Sequence, residues 1–187
     1  MKEAVVEIEQ QSEYLSVHGE SRRCQILRVV TSLFGQNGYD RVGMRDIASA
    51  IGITTGSLYH YFAGKEEMLA EIMLSGLRKA VLEYEGALRC TSDPVKQLDL
   101  CVKLSIKRAT SRPEEGLLAS SEIRSLSLQH KAEVTALRDR IQGIFEDIIR
   151  RGMQERQFAK GDAKLLTYAV FGIVRRIPLW YTRRRVD

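Results

Sequence analysis

An all-α fold is predicted for this chain of 187 residues by three observations. Apolar residues recur at helical spacing almost throughout. No stretch alternates apolar and polar residues for long enough to suggest a strand. Prolines stand only at 94, 113 and 178, and the first two sit where helices are expected to begin.

The elements follow in order. The first helix is expected over 21–37, with Ile26, Leu27, Val30, Leu33 and Phe34 on one stripe. Ser21 suits its start, and Asn37-Gly38 suits a left-handed stop. A short helix over 44–51 buries Ile47, Ala48 and Ile51 and ends at Gly52. Another short one, over 55–62, is anchored by Leu58 and Phe62, with Ile53 leading in. Gly64 then opens a long helix reaching 88, with Glu66 and Glu67 where the helix dipole favours negative charge. Further helices are expected over 94–110, 114–129, 130–157 and 161–181, and a kink or interruption at Pro178.

Composition narrows the function. No apolar run is long enough to span a membrane, and the N-terminus has no secretion-signal pattern, so a cytoplasmic protein is expected. Cys24, Cys90 and Cys101 are widely spaced and suggest inert thiols, with no metal or redox cluster. His18, His60 and His130 are far apart, and neither a phosphate loop nor a nucleophile motif is present, so no enzyme and no cofactor is expected.

The net charge of +5 is unevenly spread. Residues 1–20 carry Lys2 against five glutamates and are expected to form an acidic, partly disordered arm. Over 21–65 the balance reverses: Arg22, Arg23, Arg28, Arg41, Arg45 and Lys65 face only Asp40 and Asp46. A basic segment carrying two short helices and a glycine turn, lidded by a third helix, describes a helix-turn-helix module.

Within it, GITTGSLYHYFAGKEEM places four rings in a row. With Leu58 and Phe62 inward, Thr55, Ser57, Tyr59, His60 and Tyr61 present hydroxyls and an imidazole on one outer surface, suited to phosphates and base edges. Gly56 costs roughly 1 kcal/mol of helix propensity, which fits a close approach to the backbone there. Lys65, at a helix start, is placed to attract phosphate, and Arg45 points to the same side.

The stretch RRCQILRVVTSLFGQNGYDRVGMRDIASAIGITTGSLYHYFAGKEEML resembles the DNA-binding domain of TetR-family transcriptional repressors. The shared pattern is an IL…LF helix, GY, DIA, then G-x-x-x-G-S-L-Y-x-Y-F-x-x-K. The resemblance implies phosphate contacts from Arg45, Thr55, Tyr59, Tyr61 and Lys65. It implies base reading by Thr54, Thr55, Ser57, Tyr59 and His60. Gly43 departs from it, because the family usually places Ser or Thr there.

The implied organisation is an arm over 1–20, a DNA-binding domain over 21–66 and an effector-binding and dimerisation domain over 67–187. In the last, the 95–109 helix is apolar nearly all round and is expected to be central. Leu100, Leu104, Leu118, Ile123, Phe145, Ile149, Tyr168 and Phe171 are the expected effector-pocket residues. The apolar 165–174 stretch needs a partner surface, which points to a homodimer.

The ending VFGIVRRIPLWYTRRR resembles a TetR subgroup controlling lipid catabolism, in which acyl-CoA thioesters release several members. Arg175, Arg176 and the Arg183–Arg185 run are candidate cations for such an effector. Family members usually continue past the Trp-Tyr pair into one more helix, which makes the dimer less secure than the DNA-binding module. The expected function is therefore a repressor released from operator DNA by an apolar effector, with an acyl-CoA as the candidate. Two alternatives stay open: a sensor of lipophilic drugs controlling efflux, and a helical interaction module that has lost DNA binding.

Overall fold

The computed structural model describes residues 21–181, with side chains as far as Ile177, and all elements among them are helical. The acidic arm expected over 1–20 and the Arg183–Arg185 run lie outside the described residues.

The N-terminal head is built from α1 (Arg22–Asn37), α2 (Met44–Ile51) and α3 (Thr55–Tyr59). Ser21 caps α1, its hydroxyl accepting from the Cys24 N–H, and Gly38 ends it at φ 83°. Asp46 accepts from the Gly43 N–H at 2.8 Å, and so caps α2 from its third residue. Gly52 closes α2 in the left-handed conformation at φ 74°, which a side chain would strain. Ile26, Val30, Phe34, Ile47, Leu58 and Phe62 are all essentially inaccessible and form one core. Each such side chain contributes about 1.5–3 kcal/mol by leaving water.

That core is not confined to the head. It continues through Met68, Leu69, Ile72 and Met73 of α4 (Lys65–Cys90) and reaches Leu118, Leu126 and Val134. The C-terminal bundle adds α5 (Pro94–Ser111), α6 (Pro113–Ser121), a 3-10 turn (Glu122–Ser125), α7 (Leu128–Gln154) and α8 (Ala163–Tyr181). Its own core joins Val81, Tyr84, Leu100, Cys101, Phe145 and Ile148. The Phe145 ring meets Tyr84 and Phe171 edge-on, at centroid distances of 5.3 and 4.9 Å. α4 packs most extensively on α7, making these two long helices the spine.

Four expectations need correction. The helix expected over 55–62 ends at Tyr59, and Phe62 reaches the core from the turn beyond it. The N–H groups of Tyr61 and Phe62 both turn back to the Leu58 carbonyl, which tightens the chain out of the helix. The helix expected over 114–129 stops at Ser121, because Leu126 must drop into the core and Ser127 must cap α7 by accepting from the His130 N–H. α5 is not buried all round: Val95 and Ile106 are 46% and 41% exposed. α8 continues through Pro178 to Tyr181 without interruption. Of the cysteines, Cys24 and Cys90 are exposed, while burial pushes the Cys101 thiol up to about 12.

Candidate nucleic-acid interface and effector cavity

Burial of Leu58 and Phe62 decides what α3 offers to solvent. Tyr59 and Tyr61 are 53% and 37% exposed, and His60 is exposed beside them. Thr54 caps the helix, its Oγ1 accepting from the Ser57 N–H at 3.0 Å and lying 2.9 Å from the Ser57 hydroxyl. Thr54 is exposed, while Thr55 and Ser57 are half-buried. A side chain at Gly56 would meet nothing closer than the Thr54 hydroxyl at 3.8 Å, so no packing demand of the protein calls for glycine there. Arg45 is exposed on α2.

Lys65 is arranged differently from the expectation. Its Nζ donates to the carbonyls of Tyr39, Asp40 and Val42 at 3.0, 3.4 and 3.4 Å. It also lies 4.4 Å from the Tyr39 ring centroid. An ammonium has three N–H groups, so this set occupies all of them. The lysine therefore ties the 38–43 turn, which leads into α2, to the start of α4.

A second fastening was not foreseen. Arg23 forks onto Glu71 and Glu67 of α4, with Nη2 at 2.5 and 2.8 Å, and Nε also donates to Glu71. The same guanidinium donates to the Tyr61 carbonyl and lies 4.0 Å from the Phe62 ring centroid. It thus holds α1, the end of the recognition region and α4 together. The Glu67 carboxyl is held below the ordinary carboxylate value, first by the Ala63 N–H and then by Arg23. The only sequence signal for this was an acidic pair four residues apart on α4, which does not name its partner.

Glu66 makes the third joint, to the bundle. It accepts from the Ser127 N–H at 2.7 Å and lies 2.9 Å from His130 Nδ1. Burial pushes its carboxyl up, but the Ser127 and His130 contacts outweigh this and the net shift is downward.

The bundle encloses a cavity of ≈ 210 Å³. α4 contributes Ile72, Met73, Gly76, Leu77, Ala80 and Tyr84. α5 contributes Ser105, Arg108 and Ala109; Arg112 follows α5; and α6 contributes Glu115, Gly116, Ala119 and Ser120. Ile141, Val174 and Arg175 close it from α7 and α8. The Tyr84 and Ser105 hydroxyls lie 2.8 Å apart, and burial pushes the Tyr84 hydroxyl above its ordinary pKa.

None of the eight expected pocket residues lines this cavity. Leu100, Leu104 and Phe145 are core, with Phe171 packed against them. Leu118 and Ile123 belong to the core shared with the head, Ile149 is buried, and Tyr168 is 50% exposed. The most apolar positions are consumed by helix packing. The cavity instead forms where glycines, alanines and bent-back arginines leave space.

A larger groove of ≈ 630 Å³ lies between α1, α4 and α6 and shares Ile72, Arg112 and Glu115 with the cavity. At its side α6 leans on α1, where Glu114 Cγ sits 3.1 Å from where a side chain on Gly35 would begin.

Comparison with known proteins is consistent along the chain. Residues 26–72 match the description "Bacterial regulatory proteins, tetR family", and residues 91–184 match "Tetracyclin repressor-like, C-terminal domain". The transcriptional repressor KstR2 of Mycobacterium tuberculosis is 28% identical over 139 residues, covering 74% of this chain and 70% of that protein. The TetR-family regulator PfmR of Thermus thermophilus superposes with a TM-score of 0.82 at 30% identity, covering 87% of both chains. AibR, solved with isovaleryl coenzyme A and operator DNA, shares the fold at 24% identity and a TM-score of 0.79, covering 86% of this chain and 87% of its own.

Proposed function

This chain belongs to the TetR family of bacterial transcriptional repressors, and from that membership we propose how it works. It acts as a cytoplasmic homodimer on a palindromic operator. α3 enters the major groove, with Thr54, Thr55, Ser57, Tyr59 and His60 nearest the bases and Arg45, Thr55, Tyr59 and Tyr61 on phosphates. The observation that carries this is the inward anchoring of Leu58 and Phe62, which leaves Tyr59, His60 and Tyr61 facing solvent. Lys65 serves the same surface indirectly, by shaping the turn ahead of α2.

An apolar effector, such as an acyl-CoA, occupies the cavity and lifts the protein from DNA. Both helices that grip the head also wall the cavity. α4 holds the head through Arg23, Glu67 and Glu71, and α6 abuts α1 at Gly35. A ligand that prefers a different α4–α6 spacing shifts the population toward heads that no longer match the operator. The domain boundaries at 20 and 66 suit this reading, although the shared core makes the head an extension of α4 rather than an independent body.

The test is selection of bound fragments from genomic DNA, followed by fluorescence anisotropy on the enriched sequence. Tyr59→Ala should weaken binding at least tenfold without lowering the melting temperature. Equal affinity for selected and scrambled duplex would refute operator recognition.

A further inference from the structure

The charges around the cavity do not balance. Its lining includes Arg108, Arg112 and Arg175 against Glu115 alone. Arg108 is matched by Glu83 at 3.1 Å and Arg112 by Glu115 at 3.0 Å. Arg175 has no carboxylate partner among the described residues, and neither does Arg138. Arg138 comes from α7 and donates one N–H to the carbonyl of Ala119, itself a lining residue. Its other guanidinium nitrogens have no partner in the protein and none is sealed from solvent, so they are free to donate. Burial, and then the charge of Arg175, push the Arg138 pKa down, the signature of two like charges sharing a site. Two neighbouring guanidiniums without an anion beside an apolar cavity are a costly arrangement unless something negative arrives.

Size sets the second limit. An apolar cavity of about 150 Å³ holds benzene. By proportion, ≈ 210 Å³ accepts about eight heavy atoms. A four-ring nucleus or a long fatty chain exceeds that.

We propose that the effector is a short acyl or single-ring oxyanion: an apolar body of about eight heavy atoms against Leu77, Ile141 and Val174, with its negative charge held by Arg138 and Arg175. This rests on the reading of the cavity as the effector site. The oxyanion is either the carboxylate of a free acid or a phosphate of a short acyl-CoA.

Isothermal titration calorimetry on the full chain tests it with sodium hexanoate, hexanoyl-CoA, coenzyme A, palmitoyl-CoA and neutral hexanamide. Hexanoate or hexanoyl-CoA should bind at least tenfold more tightly than hexanamide, coenzyme A and palmitoyl-CoA. Binding of the free acid identifies the carboxylate as the anion; binding of the thioester alone identifies the phosphate. Arg175→Gln should weaken the bound anion at least tenfold and leave hexanamide unaffected, with a thermal melt as the folding control. Arg138→Lys, which keeps the charge but loses the fork, should weaken it less. Tighter binding of hexanamide or palmitoyl-CoA, indifference to Arg175→Gln, or no binding of either short anion would overturn the proposal. Anisotropy on operator DNA separates the two readings. Short anions that bind without releasing DNA refute the effector role of the cavity, whereas release by palmitoyl-CoA or a neutral ligand refutes only the oxyanion chemistry.

Discussion

The Lys65 ammonium sits 3.0 Å from the Tyr39 carbonyl oxygen, with the Asp40 and Val42 carbonyls completing its set of acceptors. A lysine expected to hold DNA is thereby engaged in holding the protein. Lys65→Met should cost about 1.5–3 kcal/mol of stability, the range for hydrogen bonds to a charged group. It should change the slope of log affinity against log salt by well under one unit, because the displaced charge is not a direct phosphate contact. Melting curves and a salt titration check both. A full unit of slope with an unchanged melt would return Lys65 to the phosphate contacts.

Thr54 presents the same choice on the recognition helix. Its hydroxyl caps a helix of five residues. Thr54→Ala should therefore lower stability by about 1 kcal/mol as well as operator affinity, whereas Thr54→Asn should keep the cap. If Asn restores the melt but not the affinity, the threonine also reads DNA. If it restores both, capping is its whole role.

Much of this architecture was legible in the sequence, for identifiable reasons. Helix starts carry local chemistry: Ser21 caps α1, and Asp93-Pro94 opens α5, with the aspartate accepting from the Val95 N–H at 2.9 Å. The inward Leu58 and Phe62 followed from spacing, although Phe62 arrives by a turn rather than by helix. The cavity was not legible. Its walls come from five helices, and its decisive residues are small ones such as Gly76, Gly116 and Ala119, whose local pattern announces nothing. The Arg23 and Glu66 joints were hidden similarly, since their partners lie 44 or more residues away.

Those joints predict a pH dependence. The Glu67 carboxyl is lowered from its ordinary 4.5 by the Ala63 N–H and Arg23, and Glu66 is also lowered. A folded pKa below the unfolded one contributes stability above the ordinary value, and this is lost as pH falls through the folded value. The melting temperature should therefore be level above about pH 5 and fall below it. Glu67→Gln should start lower and fall less steeply. A parallel curve for the variant would show that Glu67 does not contribute.

Gly152 tests packing at the end of α7. A Cβ there would lie 2.1 Å from the Phe158 ring, whose own N–H returns to the Gly152 carbonyl at 3.0 Å. Gly152→Ala should cost about 1–3 kcal/mol by overpacking. Adding Phe158→Leu should recover part of it, giving a non-additive double-mutant cycle. Strict additivity would mean that the ring swings clear at no cost.

The outer face of α8 carries the last prediction. Leu165, Leu166 and Ile173 are 65%, 43% and 70% exposed, and Ala169 and Gly172 lie exposed between them. Their spacing makes one apolar stripe with small residues at its middle, which allows two helices to approach closely. Across a two-fold axis such a stripe meets itself, so one substitution acts twice. Ile173→Glu should convert a dimer to a monomer in sedimentation. It should also weaken operator binding by more than a hundredfold, because each half-site then binds without its tethered partner. The isolated head surface is unaltered, so residual binding to a single half-site should match that of the unmodified chain. A variant that stays dimeric would move the interface off α8, and a monomer with full operator affinity would show that pairing is not needed to hold the DNA.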